Sequence, residues 1–134
     1  MSLAKIISAR LHAILADYSV AAVLLLTALL ASDASTAART TALVMGLGLL
    51  AGSVLTAYPL GLVRLIPFKL HSAADYLGAA VLIAAPFVFD FADTDKGLAT
   101  LYVVLGVADL VISLLTDYDD PATRAAGPAP ATTT

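Results

Sequence analysis

A chain of 134 residues that is 60% apolar, with a mean hydropathy of +0.96, carries charge on only 13% of its positions. A soluble domain carries about 25%, and a small domain must present a large surface to water, so a water-covered globule is excluded and a bilayer is the natural solvent. The net charge is −3 and there is no cysteine, which removes disulfides and thiolate chemistry; no run of Lys or Arg is present to support binding of nucleic acid.

Four stretches are long enough to cross about 30 Å of hydrocarbon as helix. They run approximately from Leu11 to Ala31, Ala37 to Ala57, Leu70 to Phe89 and Gly97 to Thr116. None shows the period-two alternation of a barrel strand, and in lipid each backbone amide needs a partner within its own segment. The links Ser32 to Thr36 and Asp90 to Asp95 are short, polar and rich in capping residues, which makes the helices they join antiparallel neighbours. Between the second and third stretches, Pro59, Gly61 and Pro67 stop a continuous helix. The apolar residues mixed with Arg64 and Lys69 in that linker predict a segment lying in the membrane interface. From Pro121 onward the chain is Ala, Pro, Thr and Gly apart from Arg124, the composition of a disordered tail.

The chain repeats itself. Arg10-Leu11-His12 and Asp17-Tyr18 return as Lys69-Leu70-His71 and Asp75-Tyr76; Gly46, Ser53, Leu55-Thr56 and Tyr58 return as Gly106, Ser113, Leu115-Thr116 and Tyr118. The fold expected is therefore all-α, a four-transmembrane-helix bundle of two tandem two-helix hairpins. Its parts are a terminal segment over 1–9, a first repeat over 10–58, an interfacial linker over 59–69, a second repeat over 70–118 and a tail over 119–134. The match between the first and third stretches argues against a cleaved signal at the N-terminus. Lys5, Arg10, Arg64, Lys69 and Arg124 fall on one side of this scheme, against Arg39 and Lys96 on the other. The expectation is an inner-membrane protein with both termini cytoplasmic.

Helices in lipid associate through small residues and interhelical hydrogen bonds. Gly48 and Gly52 form a Gly-x-x-x-Gly pattern, and with Gly46, Gly78 and Gly106 they predict packing seams inside the bundle. Pro86 lacks an amide proton for the Leu82 carbonyl, which predicts a kink near the end of the third helix.

Charged groups within spans are costly and want partners. His71 and Asp75 are four apart and share a helical face. His12 and Asp17 are five apart, about 140° around a regular helix, so they meet only through an extra-residue bulge. The topology sets His12, Asp17, Tyr18, His71, Asp75, Tyr76 and Asp109, with Ser53 and Ser113 below them, at one depth in the cytoplasmic half. Three readings follow. The first is a non-enzymatic protein whose cluster clasps the helices, since no nucleophile–base set, phosphate loop or zinc spacing is present. The second is a small-solute or proton pathway using Asp75 and Asp109. The third is an electron carrier with haem or metal on His12 and His71. The partners expected are the lipid bilayer, then a second copy or another membrane protein.

Two-helix membrane units that open with His and Asp, the second holding a proline late in its first helix, resemble the SPW-repeat family of small integral membrane proteins. The Ser-Pro-Trp signature falls on Ala85-Pro86-Phe87 in the second unit, where only the proline is kept, and on Thr27-Ala28-Leu29 in the first, where none of it is. The likeness runs from about Arg10 to Tyr118. It implies four helices in two repeats and no particular biochemical role.

Overall fold

A computed structural model of the protein describes residues 5–126. Four helices are long and apolar enough to cross a membrane: α1 (Ala9–Leu30), α2 (Thr36–Leu55), α3 (Phe68–Val88) and α4 (Lys96–Leu115). α1 packs along α2, and α3 along α4, as two antiparallel hairpins. The hairpins touch each other through the start of α1, which lies against both α2 and α4. The surface distribution is inverted relative to a soluble protein. His12, Asp17, Ser53, Thr56, His71, Asp75, Asp109, Ser113 and Thr116 are all buried, whereas Leu29, Leu30, Val44, Leu47, Leu77, Phe87, Val88 and Val104 are exposed. An apolar exterior around a polar interior is the arrangement that hydrocarbon, not water, stabilises.

Capping explains where the helices begin and end. The hydroxyls of Ser8 and Ser35 accept from the amides of Leu11 and Ala38, each at 3.2 Å, at the starts of α1 and α2. The Arg39 guanidinium donates to the Ala28 carbonyl at 3.0 Å and so satisfies the last turn of α1. Beyond Pro86, α3 continues only to Val88. Asp90 then takes a left-handed conformation with φ 56°, which Asp tolerates better than most residues, while the Phe91 and Ala92 amides both return to the Pro86 carbonyl.

The linker is built rather than slack. β1 (Thr56–Ala57) pairs in parallel with β2 (Ile66–Pro67), Thr56 opposite Ile66. A matching parallel bridge joins Ile7 to Thr116. The amides of Leu62 and Val63 bond the Val54 carbonyl, and Leu65 bonds that of Leu55, so the linker satisfies the open end of α2. Gly61 is required there, because a Cβ would overlap the Thr56 carbonyl oxygen.

Two expectations change. The composition of residues 119–134 predicts a disordered tail, but Pro121–Ala126 is a short helix, α5. Proline suits a first helical position. Asp120 supplies the cap: its carboxylate accepts from Ala122 at 3.0 Å and from Ala9, at the start of α1, at 2.8 Å. The remainder of that expectation, 127–134, lies outside the described residues. The five glycines also divide. A Cβ on Gly46 would stand 2.9 Å from Leu25, and one on Gly106 would stand 2.7 Å from Ile83 and 2.8 Å from the Ala79 carbonyl oxygen. Those two are packing positions. Gly48 and Gly52 have nothing within 4 Å and Gly78 meets only Met45 at 3.8 Å, so the Gly-x-x-x-Gly pattern is not a helix seam. It lines a cavity of about 510 Å³ between α2 and α3.

Candidate functional site

The spacing problem in α1 has a local solution. Ala13–Tyr18 is a π-helical segment, in which the wider turn brings residues five apart onto one face. The Ser19 amide and hydroxyl both donate to the Ile14 carbonyl, five residues back. His12 and Asp17 thereby face the same way, as His71 and Asp75 do four apart in regular α3.

The four side chains converge. His12 Nε2 lies 3.4 Å from Asp17 Oδ1 and 3.1 Å from Asp75 Oδ2; His71 Nε2 lies 3.2 Å from Asp17 Oδ2 and 3.0 Å from Asp75 Oδ1. Each imidazole therefore faces one carboxylate of its own hairpin and one of the other. Burial is close to complete, with His12 and Asp17 0% exposed and His71 and Asp75 3%.

A second layer fixes the rings. His12 Nδ1 is 2.8 Å from the Thr116 hydroxyl, and His71 Nδ1 is 2.7 Å from that of Thr56. The direction of these bonds follows from the helix ends. The Thr56 and Thr116 amides bond the carbonyls of Ser53 and Ser113, leaving the carbonyls of Gly52 and Ile112 without their usual i+4 amide. The threonine hydroxyls donate to those carbonyls, each at 2.6 Å. A hydroxyl has one proton, so each threonine oxygen accepts from the imidazole, and Nδ1 carries the hydrogen. In the neutral ring Nε2 then presents its lone pair to the carboxylates.

The carboxylates are held from behind by phenols. Tyr58 donates to Asp17 Oδ2 at 2.8 Å and Tyr118 to Asp75 Oδ2 at 2.7 Å. Burial, and then the adjacent carboxylate, pushes both phenols far above the ordinary tyrosine range, so they stay protonated as donors. Phe68 packs at 5.4 Å from both the His12 and Tyr58 rings.

Not every residue expected in the cluster is in it. His12, Asp17, His71 and Asp75 form the centre. Tyr18 donates instead to the Leu60 carbonyl at 2.7 Å, holding the linker, and Tyr76 is exposed. Each tyrosine directly follows its aspartate, and neighbours on a helix point about 100° apart. Asp109 is buried but meets the Ser113 hydroxyl at 3.5 Å, and with His71 and Asp75 it borders the cavity between α2 and α3. Ser53 bonds its own helix at the Leu49 carbonyl. Thr56, Tyr58, Thr116 and Tyr118 are the functional positions that sequence reasoning did not place in the cluster; their exact repetition sixty positions apart was the available signal.

These features define a multi-pass α-helical membrane protein with a buried His/Asp centre. The chain matches no family model, and no curated protein or solved structure is significantly similar to it.

Proposed function

We propose that the buried centre is a clasp that locks two repeated hairpins together, and that the protein serves as a small, non-enzymatic component of the inner membrane. The crossed bonding carries this reading. His12 reaches Thr116 and Asp75, and His71 reaches Thr56 and Asp17, so each hairpin supplies half of every interaction that joins the two. The matching strand pairs, Thr56 with Ile66 and Ile7 with Thr116, support a twofold relation between the halves about an axis along the membrane normal. The resemblance to the SPW-repeat family supports the same topology. Both termini face the cytoplasm in this reading, because five of the seven basic residues flank that end.

The test is thermal unfolding in detergent. Thr56→Val and Thr116→Val should each lower the midpoint while the chain still inserts in the membrane; unchanged midpoints would sink the clasp. A reporter fused after Thr134 should be active only in the cytoplasm.

A second reading, a small-solute or proton pathway, draws support from the cavity bordered by Gly48, Gly52, Gly78, Asp75 and Asp109. Asp109→Asn should then abolish flux in proteoliposomes and leave folding intact. The centre gives a haem on His12 and His71 no support: the two carboxylates stand 3.0–3.4 Å from both Nε2 atoms.

A further inference from the structure

We propose that His12, Asp17, His71 and Asp75 are the ligands of one divalent first-row transition-metal ion, of the Zn²⁺ type, held between the two hairpins. One ligand atom from each residue can be chosen so that all four lie within 4.8 Å of one another. A tetrahedral ion with bonds of about 2.0–2.1 Å places its ligand atoms about 3.3 Å apart; Asp17 Oδ1 stands 3.4 Å and 3.3 Å from the His12 and His71 Nε2 atoms, while Asp75 turns a different oxygen to each ring, Oδ2 at 3.1 Å and Oδ1 at 3.0 Å.

Distance alone would also suit hydrogen bonds, so direction decides. His12 Nε2 is fully buried and lies 3.4 Å and 3.1 Å from the two carboxylates without the alignment of a hydrogen bond to either, whereas His71 Nε2 meets Asp17 Oδ1 at hydrogen-bond geometry, 3.3 Å. A buried polar nitrogen without a partner is costly, and metal coordination is the interaction that a lone pair in that position can make. The second layer has the form metal-ligating histidines usually show, with the distal N–H donated to a fixed oxygen. Thr116 and Thr56 take that place on the two rings, and Tyr58 and Tyr118 do the same for the carboxylates.

Charge points the same way. Two carboxylates in a membrane interior need two compensating positive charges; one divalent ion supplies both on the axis between the hairpins, as two imidazolium rings would in its absence. Two imidazoles with two carboxylates suit Zn²⁺ and its first-row neighbours better than Ca²⁺ or Mg²⁺, which prefer all-oxygen shells. Four protein ligands would fill a tetrahedral shell, and such filled shells are structural rather than catalytic. The inference shares its four residues with the clasp reading, and the experiment separates the two.

The full-length chain, purified in detergent through a tag without histidine, is stripped with a chelator and given Co²⁺ or Zn²⁺. One ion per chain should survive desalting. The cobalt form should show the visible bands of a four-coordinate site, and Zn²⁺ should bleach them. His12→Ala should lose the ion. Since that variant also breaks the clasp, Thr56→Val and Thr116→Val are tested beside it. They keep all four ligands and should bind about 10- to 100-fold more weakly, with helical content retained. A wild-type chain that holds no stoichiometric ion, or a His12→Ala chain that holds it undiminished, overturns the metal site. If the ion falls in that way, metal-free wild-type protein that melts well above Thr116→Val still leaves the clasp standing.

Discussion

His12 and Thr116, 104 positions apart, are joined side chain to side chain at 2.8 Å, and the same bond joins His71 to Thr56 at 2.7 Å. The first hairpin is therefore closed by the end of the second, and the second by the end of the first. Thr56→Val and Thr116→Val each leave a buried imidazole N–H and a helix-end carbonyl without a partner. Each should cost roughly 1–3 kcal/mol, and the two losses should be similar. Circular dichroism melts in detergent measure both. A large inequality would mean that the halves do not share the centre equally.

Tyr58 and Tyr118 give a pH dependence whose sign is fixed. Folding raises both phenols above their unfolded value, so the stability they add is fully present below the ordinary tyrosine range, about pH 10. It is lost as pH climbs above that point, because the unfolded chain releases protons that the folded chain keeps. Melting midpoints should fall on the alkaline side. The fall should be shallower in Tyr58→Phe and Tyr118→Phe, which start less stable but have no phenol to lose.

The π segment makes a prediction about length. Removing Ile14, an exposed residue, sets His12 and Asp17 four apart, the spacing His71 and Asp75 already use in a regular helix. The deletion should therefore retain a folded, clasped protein. Removing Val23 instead, beyond the π segment, should turn the rest of α1 by about 100° against α2 and destabilise the fold. Equal damage from the two deletions would count against the bulge as the device that aligns His12 with Asp17.

The glycines should respond by contact, not by motif. Gly106→Ala drives a methyl against the Ala79 carbonyl and Ile83, and overpacking of this kind costs about 1–3 kcal/mol. Gly46→Ala meets the movable end of Leu25 and should cost less. Gly48→Ala and Gly52→Ala point into open space and should cost nothing, or raise the midpoint through the better helix propensity of alanine. Thermal midpoints of the four variants rank the effects directly.

Much of this was legible in the chain. Long apolar runs announce helices because unsatisfied amides are intolerable in lipid, and all four spans lie within about two residues of where hydropathy sets them. His12, Asp17, His71 and Asp75 stood out as a repeated set of costly polar residues, and the five-residue spacing required a bulge. Tyr18 and Tyr76 misled because adjacency in sequence is divergence on a helix. Gly48 and Gly52 misled because spacing shows which residues share a face and not what stands opposite that face. Pro121 to Ala126 read as tail because its helix depends on Asp120, which also caps α1 across the molecule.

Composition, span length and the cost of burying charge already set the solvent, the number of helices and the inventory of polar groups. How those groups are shared follows from the fold. The strand pairs at the hairpin ends bring Thr116 to His12 and Thr56 to His71. That fixes which nitrogen of each ring carries its proton, and hence what the opposite nitrogen can bind. A hydrogen-bond direction at His12 set by a residue 104 positions away is not written in any local pattern.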